Sequence, residues 1–280
     1  MELKPFFTTG DVNLYTANCI TFASSLPDNG LALTVTSPPY DSLRSYTGEA
    51  VWDFAQFSLL AEQLYRITKP GGVVVWNVND QTKDGSESGS SFRQALHFID
   101  RGFKLADTMI YKKANPGGAR GSNKTYLQSF EYMFVLSKGN LGTHNLIADR
   151  PNKRSGVQKG GGRRNKNGSL SDTVTYESTE YGRRFNIWEY PTQMDEFSAK
   201  HPAPFPLALA RDHILSWSNE GDLVFDPFSG SGTTALAALQ TNRKCIGVDV
   251  SQDYGNIARL RLQSSNEIDT GRDARWVLID

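Results

Sequence analysis

The sequence predicts an α/β fold: a doubly wound, mostly parallel sheet with helices on both faces. Three observations carry that prediction. Strand-length apolar runs alternate with segments of helical spacing, the pattern of strand–helix–strand units. The runs at 31–36 and 73–78 are nearly continuous in apolar residues, as in strands buried on both faces. Two turns rich in proline or glycine, at 37–40 and 226–232, follow strand ends, and open α/β sheets take their ligands at that edge.

Each element has its own signal. Residues 31–36 lie between Asn29-Gly30 and Pro38-Pro39, hence a strand. Phe54, Phe57, Leu60, Ala61 and Leu64 recur at helical spacing over 54–68, and Lys69-Pro70-Gly71-Gly72 is expected to stop that helix. A strand over 73–78 leads into a polar loop, 80–91. A helix over 92–98 and strands over 103–111 and 132–136 follow. Beyond a basic segment, 207–217 reads as helix, 223–225 as strand, 233–240 as helix, 245–248 as strand and 252–262 as helix.

The chain has 280 residues, 38% hydrophobic and 11% aromatic, enough for a sizeable core, so a wholly disordered chain is excluded. One large domain, or one domain with an insertion, fits that length. Cys19 and Cys245 form no CxxC pair, which excludes a disulfide framework and a four-cysteine zinc site. Histidines at 97, 144, 201 and 213 show no ligand spacing, so no metal is expected. No apolar run is long enough to span a membrane, and Met1-Glu2-Leu3-Lys4-Pro5 does not open a signal peptide; a cytoplasmic protein is expected. The formal net charge is zero but unevenly spread. Residues 112–168 hold twelve Lys/Arg against Glu131 and Asp149, and 150–168 hold seven cations and no acid. That stretch reads as a mobile basic loop for an anionic partner, with a solvated linker as the plain alternative.

Asp226-Pro227-Phe228-Ser229-Gly230-Ser231-Gly232-Thr233-Thr234 joins a strand to a helix. Its glycines let backbone approach a ligand, and the helix start offers free N–H groups. It is not a Walker A loop, which ends in GK[ST], and Ala235 stands where a dinucleotide fingerprint would have its third glycine. Asp249 ends the next strand with a carboxylate suited to ribose hydroxyls, or else to capping the following helix. At the other turn, Ser37-Pro38-Pro39-Tyr40, two prolines remove two N–H donors. The Ser37 hydroxyl and the Ser37 and Pro38 carbonyls are left as acceptors beside an aromatic face, a site for a planar group bearing NH₂.

Ser-Pro-Pro-Tyr early in the chain and Asp-Pro-Phe-Ser-Gly-Ser-Gly late resemble the β-type, permuted DNA amino-methyltransferases, N4-cytosine or N6-adenine specific, of restriction-modification systems. The resemblance covers most of the chain. It implies a Rossmann-like, S-adenosylmethionine-dependent methyltransferase fold with a seven-stranded sheet. Residues 1–137 would form the catalytic half, 138–200 a target-recognition insertion and 201–280 the cofactor-binding half of the same domain. Ser37, Pro38, Pro39 and Tyr40 take the catalytic place. The cofactor side comprises Asn18, His201, Pro202, Phe205, Asp226, Pro227, Phe228, Ser229, Gly230, Gly232, Thr233 and Asp249. Asn18 stands where the family often carries Asp. DNA contacts fall to Lys112, Lys113, Arg120, Lys124, Arg150, Lys153, Arg154, Lys159, Arg163, Arg164 and Lys166. The resemblance implies S-adenosyl-L-methionine as cofactor and double-stranded DNA as partner, and it admits a restriction endonuclease acting on the same site and a second copy of the chain.

The implied reaction is direct methylation of a flipped base amine. Ser at the first position of the tetrapeptide resembles the N4-cytosine group more than the adenine group, which leaves N6-adenine as the alternative. A cytosine-carbon methyltransferase needs Pro-Cys, and neither cysteine supplies it. A zinc deaminase needs His-x-Glu and Cys-x-x-Cys, both absent. An RNA methyltransferase stays open. A non-catalytic DNA-binding module would account for the basic segment but not for the two turns.

Overall fold

A computed structural model describes residues 4–40, 52–116, 125–160, 162, 164–192, 195–197 and 205–269. The strands are β1 (Phe7–Thr9), β2 (Val12–Thr16), β3 (Leu31–Thr36), β4 (Thr68–Val78), β5 (Thr82–Lys83), β6 (Ser86–Glu87), β7 (Phe103–Lys113), β8 (Phe130–Lys138), β9 (Arg150–Pro151), β10 (Gly156–Gly160), β11 (Val174–Ser178), β12 (Tyr181–Gly182), β13 (Ile187–Tyr190), β14 (Leu223–Asp226) and β15 (Lys244–Asp249). The helices are α1 (Cys19–Ser25), α2 (Phe54–Ile67), α3 (Ser90–Asp100), α4 (Leu207–Trp217), α5 (Thr233–Gln240) and α6 (Gln252–Asp269).

The chain divides into two compact units, Met1–Asn145 with Asn186–Asp280, and Leu146–Phe185. In the first, a nine-stranded sheet runs β1-β2-β15-β14-β3-β4-β8-β7-β13. Its interior holds seven strands, the six expected from the apolar runs together with β2, and β1 and β13 extend it at the edges. Strands β2, β15, β14, β3 and β4 are parallel neighbours, while β8 runs antiparallel between β4 and β7. Helices α1, α2 and α3 pack side by side, and α4, α5 and α6 form a second row, so the sheet is covered on both faces.

Local chemistry sets the element ends. Asp53 caps α2 by accepting the Gln56 N–H at 2.9 Å. The helix stops as expected, but the expected stop is itself strand: β4 begins at Thr68 and runs through Pro70-Gly71-Gly72. Gly72 is needed there, because a Cβ would lie 2.9 Å from the Ala32 carbonyl oxygen. The polar loop after β4 wraps around buried Asp80, whose carboxylate accepts from Ser88, Ser90 and the Ser91 N–H and hydroxyl. These bonds place the start of α3. Under α2 and α3 the core is aromatic: Phe98 meets Phe57 and Trp76 at 5.2 Å and Phe103 at 5.6 Å between ring centres.

Two expectations change in form. The basic stretch expected as a loop is partly strand: β10 pairs with β11 and β9 with β12, all antiparallel. Its compact unit ends at Phe185, short of residue 200, because Ile187–Tyr190 pairs in parallel with β7 and belongs to the main sheet. The N-terminal β2, counted with the catalytic half, pairs with β15 on the opposite side of the switch point. No described helix is long and apolar enough to cross a membrane.

Candidate active site

Parallel pairing of β3 with β14, Leu33 opposite Val224 and Thr34 opposite Phe225, sets the two turns side by side at the strands' carboxyl ends. Two bonds tie them. Thr36 Oγ1 donates to Asp226 Oδ1 at 2.6 Å, and Thr234 Oγ1 donates to the Val35 carbonyl at 3.1 Å. Asp226 is 1% exposed, and the Phe228 N–H also donates to its Oδ1. Among the described residues its Oδ2 is buried without a hydrogen-bond partner. Burial pushes this carboxyl up to about 6, partly offset by the Thr36 hydroxyl and the Phe228 N–H.

The glycine turn is held from below. Gly230 and Gly232 have φ of +48° and +76°, in the left-handed region glycine favours. A Cβ on Gly232 would stand 2.9 Å from Ala258 Cβ. Asp249 accepts the Gly230 N–H and the Ser251 N–H, each at 2.8 Å, so its carboxylate braces the turn against the start of α6. Burial raises its pKa, opposed by those backbone donors. Buried Arg261 donates to the Ser231 carbonyl at 3.2 Å and Thr233 Oγ1 at 2.9 Å, and pairs with Asp195 at 2.5 Å. Phe228, half-buried, meets the Trp52 edge at 4.8 Å. Pro227 and Ser229 are buried, and among the described residues Ser229 Oγ has no hydrogen-bond partner.

On the other turn Pro38 is buried, and Ser37, Pro39 and Tyr40 are half-buried. Ser37 Oγ lies 2.9 Å from Tyr40 Oη, which donates to Glu131 Oε2 at 3.0 Å. Asn77 Nδ2 donates to Glu131 Oε2 at 2.7 Å and to Tyr40 Oη at 3.3 Å. The tyrosine ring is thus anchored at its far end, and Ser37 is engaged with it rather than wholly free.

Other expected residues fall differently. Asn18 Oδ1 caps α1 through the Ile20 and Thr21 N–H groups, and the neighbouring Ala17 N–H reaches the Asp249 carbonyl at 3.0 Å. Phe205 is half-buried directly before Pro206, the cap of α4, which packs against α5 and β3. Lys112 pairs with Glu189 at 2.8 Å and Lys113 with Glu131 at 2.7 Å, so both cations already have carboxylate partners. In the smaller unit Lys159 is on β10, Lys153 and Arg154 join β9 to β10, Arg164 and Lys166 lie between β10 and β11, and Arg150 stacks 4.5 Å over the Phe185 ring. His201, Pro202, Arg120, Lys124 and Arg163 lie outside the described residues. Asn77, Glu131 and Arg261 were not among the expected site residues. An asparagine inside the apolar run 73–78 was the visible signal for the first.

The residues fit a cofactor carrying hydroxyl and ammonium donors beside a flat ring. Among the described residues the buried acceptors Asp226 Oδ2 and Ser229 Oγ lack partners, and Phe228 with Trp52 supplies an aromatic wall.

The sequence pattern of the N6/N4 DNA methylases matches residues 31–260. The chain belongs to this family. It is 49% identical over 248 residues to orphan methyltransferase M.BamHII of Bacillus amyloliquefaciens, covering 86% of this chain and 91% of that protein. The fold is similar to that of the PvuII DNA methyltransferase (cytosine-N4-specific), with a TM-score of 0.69 at 19% identity over 96% of both chains. M1.HpyAVI in its SAM complex matches with a TM-score of 0.59 at 21% identity, over 90% of this chain and 98% of that one.

The buried carboxyl of this methylase gives a pH signature. The folded protein keeps the Asp226 proton where the unfolded chain, with an ordinary value of 3.8, has lost it. The carboxyl therefore contributes stability below its unfolded pKa that is lost as pH rises through about 6. An asparagine in its place cannot ionise. Denaturant unfolding of Asp226→Asn should gain on wild type between pH of about 4 and about 7, by a few kcal/mol at most. A difference that does not change with pH would contradict this.

Proposed function

We propose that this DNA methyltransferase moves a methyl group from S-adenosyl-L-methionine to the exocyclic N4 amine of cytosine in duplex DNA, with adenine N6 as the alternative acceptor. The observation that carries the reading is the contact between the two turns: Ser37-Pro38-Pro39-Tyr40 and the Asp226 glycine turn share one sheet edge, joined by the Thr36–Asp226 bond of 2.6 Å. A methyl acceptor site and a donor site have to meet within a few ångströms. Serine at position 37 supports cytosine over adenine.

A base amine is a weak nucleophile because its lone pair is delocalised into the ring, and in a duplex it is paired and stacked, so the base has to leave the helix. Tyr40 offers the flipped base a ring fixed at its hydroxyl. Ser37 Oγ and the Pro38 carbonyl accept the amine hydrogens and offset the positive charge that develops on nitrogen, an effect of a few kcal/mol per well-placed group. Bound S-adenosylmethionine supplies an electrophilic methyl carbon. On that side Asp226 and Ser229 receive donors of the methionine end, Phe228, Gly230, Gly232 and Thr233 shape the pocket, and Asp249 takes the ribose hydroxyls on its remaining lone pairs. Asn18 and Phe205 lie toward the adenosine. The basic unit, Leu146–Phe185, serves as the target-recognition arm. A restriction endonuclease acting on the same site is the partner such an enzyme would protect against.

Sequencing that distinguishes N4-methylcytosine from N6-methyladenine, on DNA from cells expressing the chain, tests the reading. N4-methylcytosine at one short recurring sequence is expected, and it should vanish with Tyr40→Ala. Methyladenine instead would move the reading to the alternative, and unmodified DNA would end it.

The arm has its own test. Phosphate contacts release counterions, so DNA affinity should fall steeply with salt. Replacing Lys153, Arg154, Arg163 and Arg164 by Ala should flatten the log–log salt slope by about 3–4, at about 0.9 per contact. An unchanged slope would remove the arm from the phosphate backbone.

A further inference from the structure

One polar cluster beside the acceptor turn has no part in the reaction described so far. Glu131, on β8, has a side chain 13% exposed, and three other parts of the fold converge on it. Its Oε1 pairs with Lys113 Nζ of β7 at 2.7 Å. Its Oε2 accepts Asn77 Nδ2 of β4 at 2.7 Å and Tyr40 Oη, beyond β3, at 3.0 Å. Asn77 is 2% exposed. Removing such groups from water is costly, and an apolar set of similar volume would serve the sheet as well. The cluster is therefore better explained by what it does to Tyr40 and Ser37 than by stability.

Counting hydrogens gives the chain a direction. A carboxylate only accepts, so Tyr40 gives its single hydroxyl hydrogen to Glu131. In the 2.9 Å contact between Ser37 and Tyr40, Ser37 must then be the donor. Asn77 Nδ2, at 3.3 Å from Tyr40 Oη, donates to the same oxygen and reinforces that order. With its hydrogen committed to Tyr40, Ser37 Oγ meets any incoming group as an acceptor. Without Glu131, Tyr40 could turn its hydrogen onto Ser37, and Ser37 could offer a hydrogen to the amine that it has to receive.

We propose that Glu131 is a positioning residue that orients the hydroxyl chain Ser37–Tyr40 and receives the proton the methylated amine sheds. The proposal rests on the amine-methylation reading above. Once the new nitrogen–carbon bond exists, nitrogen has four bonds and a positive charge. One N–H bond breaks and its electron pair stays on nitrogen. The proton passes to Ser37 Oγ as the Ser37 proton moves to Tyr40 Oη and the Tyr40 proton to Glu131 Oε2. Glu131 ends as a neutral acid and afterwards yields its proton to solvent. Lys113 holds the carboxylate in place before the reaction.

The test is a cycle of single-turnover methyl-transfer rates, measured at saturating S-adenosylmethionine and duplex DNA, for wild type, Glu131→Gln, Tyr40→Phe and the double variant. Glutamine keeps the size of the side chain but cannot take the proton, and phenylalanine keeps the stacking ring but breaks the chain. Each single variant should lose about a hundredfold in rate. Dissociation constants for cofactor and DNA, from calorimetry and fluorescence anisotropy, should stay within about threefold of wild type, which a merely structural role would not predict. Because both residues act in one chain, the double variant should be no slower than the slower single variant by more than about threefold. Independent, multiplying losses, or Glu131→Gln at the wild-type rate, would overturn the proposal. A wild-type enzyme that methylates DNA while the cycle is additive removes only the role of Glu131; a wild type that leaves DNA unmodified removes the reading beneath it.

Discussion

The parallel pairing of β3 with β14 is the constraint on which the site depends. It brings together turns that lie 190 residues apart at their closest bond, Thr36 to Asp226. The contact has an energetic cost, since a carboxylate 1% exposed is held where water cannot reach it. Thr36 and the Phe228 N–H offset part of that cost at Oδ1, and the unpartnered Oδ2 leaves the rest standing. A fold optimised only for stability would put an apolar residue at this strand end. Keeping Asp226 there makes sense where a ligand completes its hydrogen bonding, and the same holds for Ser229 Oγ one turn further on.

Around this junction, the two turns are braced by different means. The glycine turn is fixed by charges that point inward: Asp249 on the Gly230 N–H, and Arg261 on Ser231 and Thr233. The acceptor turn is fixed at its aromatic tip, where Tyr40 meets Glu131, and the prolines 38 and 39 restrict the backbone leading to it. Both arrangements hold a turn through side chains that come from neighbouring elements. Preorganisation of this kind suits a reaction in which alignment supplies much of the rate.

Much of this was legible in the sequence, for physical reasons that can be named. The continuous apolar run of β4 and the helical spacing of α2, α4 and α5 survive folding because burial on both faces demands them. The two turns announce themselves because proline and glycine are backbone devices, visible without tertiary context. What sequence reasoning lacked was partnership. Lys112 and Lys113 look like free cations until Glu189 and Glu131 are placed beside them by strand pairing. Asn18 also caps α1, a partnership that its sequence position does not announce. The short edge strands β1 and β13 have too few residues to show a period. The exposed pair β10 and β11 is rich in polar residues and glycine, which hides its strand character. Glu131 carried no local signal, because its role comes from Tyr40 and Asn77, which reach it from other strands.

The central claim is that the Thr36–Asp226 junction aligns donor with acceptor rather than merely holding the fold. Single-turnover methyl transfer by Thr36→Val and Thr36→Ser, at saturating cofactor and DNA, tests it most directly. A misplacement of about 1 Å can cost about a hundredfold in rate. Thr36→Ser, which keeps the hydroxyl, should stay close to wild type, and Thr36→Val should lose at least tenfold, by about 1.4 kcal/mol of barrier, with both ligands still bound. A Thr36→Val enzyme that transfers methyl at the wild-type rate would contradict the account.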